Sequence, residues 1–166
     1  MIESAYYFSP VGNLKISAKN DMICEIKFCD DDEGLTVENI MEDHLPPILN
    51  VCTIQLREYF DGIRKNFDLL ISQAGTEFQQ SVWKQLLNIP YGATISYLQL
   101  SKNLGNEKAI RAAAASNGKN RIAIIVPCHR VIGSNHEMVG YAGGISRKKW
   151  LLQHEAKYTH NIQTLF

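Results

Sequence analysis

Five apolar residues in succession, Ile122 to Val126, stop at Pro127, and Cys128, His129 and Arg130 follow at once. This stretch, IAIIVPCHRVIGS, constrains the fold more than any other. An apolar run of that length must be buried, and its proline end predicts a short interior strand that cannot continue its ladder. The interior therefore ends on a thiol, an imidazole and a guanidinium. A thiol of ordinary pKa is only about 3% ionised at pH 7. To act as a nucleophile it needs an imidazole or a helix N-terminus. Adjacent side chains of a strand point oppositely, but the break at Pro127 allows Cys128 and His129 to meet, directly or through a water.

The rest of the chain splits in character near Gly75. Before it, SAYYFS, NLKISA and ICEIKF alternate between turn signals at Pro10–Gly12 and Asn20–Asp21, the pattern of short antiparallel strands. The acidic stretch DDDEGLTVENIMEDH is expected as a surface loop with a helical turn. Pro46-Pro47 opens a helix over about 47–61, striped by Ile48, Cys52, Leu56, Tyr59, Phe60 and Ile63. FDLLIS, residues 67–72, is a further strand candidate.

After Gly75 the signals are helical. Thr76 and Gln79 have capping-box spacing, and Ser96 and Gln99 repeat it. Gly105 stops the second helix, Asn106 can cap a third, and Gly118 ends that one. Two short helices about a glycine turn have the outline of a helix-turn-helix, an outline that many helical pairs share. Arg111 precedes four alanines, Ala112–Ala115, which give either plain helix propensity or a surface that lets the backbone approach closely. GYAGG, residues 140–144, is either a tight turn or a loop presenting backbone N–H groups beside an aromatic ring. SRKKWLLQHE predicts a helix with Glu155 on the same face as Leu151 and Leu152. That carboxylate needs a partner, either a histidine that it orients or Arg147 or Lys148 at the surface.

Charge follows the same division. Residues 1–90 carry 7 Lys/Arg and 14 Asp/Glu, whereas residues 91–166 carry 10 and 3. The basic half suits a polyanion, or else attracts the acidic half. The 166 residues fit one domain or two small subdomains. The four cysteines lack a CxxC pair and read as free thiols, and Cys24, Cys29 and Cys52 as small buried apolar residues. No apolar run reaches transmembrane length and the N-terminus has no signal-peptide pattern, so a cytoplasmic location is expected.

Together, IVPCHRVIG, GYAGG and RKKWLLQHE resemble the O6-alkylguanine-DNA alkyltransferases, the methylated-DNA–protein-cysteine methyltransferases. The resemblance is strong over about residues 76–156 and loose before them. It implies an α/β protein. Residues 1–75 would form a small ribonuclease H-like N-terminal domain with short antiparallel strands. Residues 76–166 would form a mostly helical, winged helix-turn-helix domain that binds DNA and carries the chemistry. It implies a partner, double-stranded DNA containing O6-alkylguanine, and in addition O4-alkylthymine as a substrate. It implies a single, irreversible transfer of the alkyl group to the protein's own cysteine after base flipping. No cofactor, metal or membrane is expected, and a monomer suffices.

Carried over by residue, the resemblance makes Cys128 the alkyl acceptor and His129 its base through a water. Glu155 orients His129, and Asn120 is the hinge before the buried run. Tyr97 lies by the flipped nucleotide, Arg111 fills the vacated stack, and Tyr141 covers the base. Ala112, Ala115, Arg130, Val131, Ala142 and Gly143 complete the substrate- and DNA-binding set. The chain departs from the family pattern at Ala114, where glycine is common, at Arg121, where proline is usual, and at Ala142, where some members have serine. Three other readings have less support. A non-reactive binding module would lack Cys128. A thiol hydrolase has no use for the basic helix, and a fused transcription regulator needs a domain for which there is no room.

Overall fold

The computed structural model describes residues 1–30 and 45–160. The acidic segment from Asp31 to His44 and the tail from Asn161 lie outside the described residues, as do the expectations placed on them. The chain divides into two compact units, Met1–Gln73 and Ala74–Phe166.

The first unit is built on β1 (Glu3–Ser9), β2 (Gly12–Lys19) and β3 (Met22–Phe28), an antiparallel sheet in that order. Asn20 and Asp21 both adopt left-handed backbone, φ 51° and 58°, as a two-residue hairpin turn requires. Alternation along β2 sends Leu14 and Ile16 inward, with Ile23 and Ile26 of β3 buried beside them. Helix α1 (Pro47–Phe60) packs on the sheet with Leu49, Cys52, Leu56, Tyr59 and Phe60 buried. Its expected stripe ends early: Ile63 is exposed. The expected strand at 67–72 is also corrected. It makes a single parallel bridge, Ile23 to Ile71. The buried amide of Gln55 replaces further strand pairing, bonding the Asp68 carbonyl at 3.0 Å and the Asp68 N–H at 2.9 Å.

The second unit begins with α2 (Glu77–Leu86), closed at its start by the full Thr76–Gln79 capping box. Trp83 on its inner face donates from its indole N–H to the Ser116 carbonyl at 2.9 Å. A short strand, β4 (Ile95–Ser96), leads into α3 (Tyr97–Asn103), whose first turn the Ser96 hydroxyl caps. Asn106 caps a 3-10 turn, Glu107–Ala109, rather than the next helix itself, and α4 runs Ile110–Gly118. β5 (Val131–Ile132) pairs parallel with β4, and α5 spans Ile145–His160, longer than the predicted 146–155.

The apolar run is the main correction. Ile122, Ile124, Ile125 and Val126 are buried as expected, but after a single bridge residue, Ile122, they form a turn and not a strand. Ile125 N–H bonds the Ala123 carbonyl at 2.8 Å, with Ile124 between them at φ 72°. This is the rare tight turn that costs a β-branched residue strain. Cys128 N–H closes a turn of the same size but of the common, unstrained hand on the Val126 carbonyl at 2.8 Å, centred on Pro127 at φ −82° and ψ 63°. An apolar run pays no heed to period when all of it is buried, so strand and turn read alike in sequence.

Candidate active site

Asn120 sustains the double turn. Its amide donates to the carbonyls of Val126 (2.8 Å) and Ile122 (3.3 Å), and its oxygen accepts the Ile122 N–H (3.1 Å). One side chain thus satisfies three backbone groups of the buried run. The turn delivers Cys128 to the start of a 3-10 segment, Cys128–Arg130, with the thiol enclosed. Burial pushes that thiol above its ordinary pKa, while the Asn120 hydrogen bond and the Lys148 charge pull the other way. At rest Cys128 is a neutral thiol, opposed by groups that favour its ionised form.

His129 and Glu155 meet inside this unit with neither side chain exposed. Nε2 of His129 donates to Oε1 of Glu155 at 2.8 Å. Nδ1 of the same ring is buried without a hydrogen-bond partner in the protein. Burial lowers the His129 pKa despite the carboxylate, so the imidazole is neutral. Burial alone would raise Glu155, but the His129 and Arg130 contacts outweigh it and bring it down to about 2. Because His129 is neutral, the standing charge that keeps Glu155 ionised is Arg130.

Arg130 was expected among the substrate- and DNA-binding residues, and here the structure differs. Its side chain is 8% exposed and turned inward. Nε bonds both Glu155 oxygens, at 3.3 and 3.0 Å, and Nη2 bonds Oε1 at 2.9 Å. Nη1 donates to the Ile89 carbonyl at 2.7 Å. All three of its nitrogens are engaged inside the protein, which turns the guanidinium away from a phosphate. Val131 is likewise fully buried, though its carbonyl faces Lys148.

Tyr97, Ile110, Arg111, Ala114, Val139, Tyr141 and Ala142 line a cavity of about 550 Å³ between α4, the start of α3 and the 139–142 loop. Arg111, Ala112 and Ala115 are exposed on α4, and Ala113 faces the core. The four alanines are therefore not one surface: their outer members leave a shallow, methyl-lined helix face beside the cavity. Ala114, half-buried, is part of the cavity wall. The Tyr97 hydroxyl donates to the Val139 carbonyl at 3.2 Å. Burial first, and then nearby Cys128, raises its pKa, so it is a neutral phenol able to donate. Gly143 accepts from Arg147 through its carbonyl at 3.2 Å.

Sequence reasoning did not assign two residues of this cluster. Lys148 is wholly buried, and its ammonium donates to the carbonyls of Val131 (2.6 Å) and Val139 (2.9 Å). It binds the strand after Cys128 to the cavity loop. Asn117, also buried, donates to the Cys128 carbonyl at 3.4 Å. The only advance signal for Lys148 was its place one turn before the apolar Leu151 and Leu152. Spacing also offered Lys148 or Arg147 as a surface partner for Glu155, and neither takes that role: His129 and Arg130 do.

Known proteins share this arrangement of chain. Residues 77–157 match the family model described as the DNA-binding domain of 6-O-methylguanine DNA methyltransferase, and residues 2–73 match its ribonuclease-like domain. A methylated-DNA–protein-cysteine methyltransferase of Methanosarcina acetivorans is 40% identical over 151 residues, covering 91% of this chain and 96% of that one. The enzyme of the same name from Mycobacterium tuberculosis is 39% identical over 158 residues, covering 95% and 94%. The crystal structure of the M. tuberculosis O6-methylguanine methyltransferase superposes with a TM-score of 0.84 at 38% identity, over 100% of this chain and 99% of that one. Its structure in complex with DNA gives 0.82 at 37% identity, over 93% of each.

Proposed function

From the premise that the chain belongs to the 6-O-methylguanine DNA methyltransferase family, we propose that it repairs DNA by moving the alkyl group of O6-alkylguanine onto Cys128. O4-alkylthymine is a second substrate of the same chemistry. The observation that carries this reading is the buried Cys128, followed in the chain by a His129 ring whose Nε2 is held by a carboxylate at 2.8 Å.

The reaction is an in-line displacement. The Cys128 sulfur forms a bond to the alkyl carbon, the carbon–O6 bond breaks, and its electron pair leaves with guanine. His129 takes the thiol proton through a water on Nδ1. Glu155 holds the other nitrogen protonated, which fixes the tautomer that a base requires. Tyr97 supplies a proton to the leaving guanine, its hydroxyl exchanging the Val139 carbonyl for the base. The thioether product has no hydrolysable bond, so each molecule acts once.

The base reaches Cys128 by leaving the duplex, at a cost of a few kcal/mol of unstacking. Arg111, exposed at the head of α4, offsets that cost by filling the gap. Ala112 and Ala115 let the helix sit close to the groove. Tyr141 and the backbone of Ala142 and Gly143 receive the base in the 550 Å³ cavity, which is wide enough for a nucleobase and its substituent. The excess of basic residues after position 90 suits phosphate contact. On this reading residues 76–166 bind DNA and carry the chemistry, residues 1–75 support them, and the protein works as a monomer. A cytoplasmic location accords with four free thiols. Among the described residues no helix is long and apolar enough to cross a membrane.

Incubation with duplex DNA containing O6-methylguanine tests the proposal by mass spectrometry of the Cys128 peptide. One methyl per molecule on Cys128, and none on the protein with Cys128→Ala, is expected. Repeated turnover, or a methyl on another residue, overturns it.

A further inference from the structure

Among the described residues, Arg130 is a buried ionic group that the transfer chemistry leaves without a task. It lies next to His129 in sequence, yet it does not join the imidazole. It takes the carboxylate that the imidazole needs, with three bonds spread over both oxygens, and locks itself to the Ile89 carbonyl. Oε1 of Glu155 therefore serves His129 and Arg130 at once. We propose that Arg130 is a positioning residue that tempers the base: it fixes which Glu155 oxygen meets His129 and offsets the carboxylate charge, so Cys128 stays a thiol until a substrate closes the site.

This rests on the alkyl-transfer reading above. The physical argument is about charge balance. A lone buried carboxylate 2.8 Å from an imidazole strongly favours the imidazolium. An imidazolium next to a thiol in turn favours the thiolate. A standing thiolate would react with any small electrophile, and in a protein that reacts once such a loss is permanent. A guanidinium on the same carboxylate removes most of that pull, because the pair is neutral as seen from the ring. The surroundings add little to compete with it. Around His129 the charged groups are Glu155 and Lys148 from α5 and Arg130 itself. Tyr91, from the turn after α2, lies with its ring 5.7 Å from the Arg130 guanidinium, and burial with the Glu155 charge pushes its hydroxyl up to about 12, so it is neutral. The charged residues of α2, Glu77 and Lys84, are exposed. On the Cys128 side the neighbours are Lys148, Tyr97 and Tyr141.

The test follows the imidazole itself. The full-length protein is titrated by NMR, with the His129 ring signal assigned by His129→Asn. Arg130→Gln keeps hydrogen-bond donors and removes the charge. It is expected to raise the His129 midpoint by about one pH unit, and Arg130→Lys, which keeps the charge, by much less. An unchanged His129 midpoint in folded Arg130→Gln overturns the proposal. Should that variant fail to fold, Glu155→Gln is compared with Glu155→Gln/Arg130→Gln, which has no buried ion at either position. A higher midpoint in the double variant supports the proposal, and equal midpoints overturn it. If the wild-type protein takes up no methyl, the alkyl-transfer reading fails, while the titration still decides the role of Arg130.

Discussion

Cys52 and Cys128 are both buried thiols, one in each unit, and their surroundings have little in common. Cys52 sits on α1 between Leu49 and Leu56, and burial alone pushes it up to about 12. Cys128 is enclosed as well, but Asn120, Lys148 and two backbone N–H groups face it and oppose the effect of burial. The cores around them differ in the same way. Ser17 and Gln55 are the buried polar residues of the first unit, among the described residues, whereas the second buries His129, Arg130, Lys148 and Glu155 in one cluster. Burying an ion costs several kcal/mol before its partners offset it. A fold gains nothing in stability from such a cluster that an apolar core would not supply. Its presence around one thiol, and its absence around the other, separates a thiol kept for packing from the one on which the proposed transfer rests.

Removing Asn120 should have the largest effect on this contrast. Asn120→Ala strips three bonds from the buried double turn. It is expected to cost about 3 kcal/mol in denaturant unfolding and to slow methyl transfer by about 100-fold. Cys52→Ala should cost only about 1 kcal/mol and leave the transfer rate as it was. A transfer rate that falls equally in both would show that Cys128 depends on general core packing rather than on its polar neighbours.

Acid should separate the buried cluster from an apolar core by a smaller margin. Glu155 has its pKa depressed from an ordinary 4.5 to about 2. The stability it contributes is full above the unfolded value and is lost as pH falls from about 4.5 towards 2. Between pH 5 and pH 3 that loss is about 2 kcal/mol. His129, with its pKa lowered by burial, adds a loss of the same sign below its unfolded value of 6.5. Unfolding free energies at pH 5 and pH 3 should therefore converge in Glu155→Gln relative to the wild type. A variant with the full wild-type acid slope would remove Glu155 as its source.

What could be read in the sequence was local. The hairpins showed in their alternation and in Asn20–Asp21, and α2 and α3 in the Thr76 and Ser96 caps. Each signal needs only neighbours a few residues away. The enclosure of Cys128 showed in the apolar run and the proline before it. The turn at Ile122–Val126 did not, because its hydrogen bonds come from Asn120 and from within the run itself, and a fully buried run has no period to betray it. Arg130 was misread for a related reason. Its partners are Glu155, 25 residues on, and Ile89, 41 residues back. A basic residue in a basic half of the chain suggests a phosphate until the fold shows a carboxylate closer. Lys148 escaped in the same way, since backbone carbonyls leave no mark in a sequence.

Arg111 provides the mildest test, because it carries charge at the surface instead of the interior. It is exposed, on the rim of the cavity, and the buried cluster does not use it. Arg111→Ala should leave the unfolding free energy within about 0.5 kcal/mol of the wild type, as most surface changes do. Its effect should appear only where a base must leave a stack. Transfer from O6-methylguanine in duplex DNA is expected to slow by about tenfold, equivalent to about 1.4 kcal/mol of lost support for the flipped state. Reaction with free O6-benzylguanine, which has no stack to leave, should keep its rate. The ratio of the two rates is the measurement. If both fall together, Arg111 acts on the cavity itself, and the division between a surface that opens the duplex and an interior that carries out the transfer does not hold at this residue.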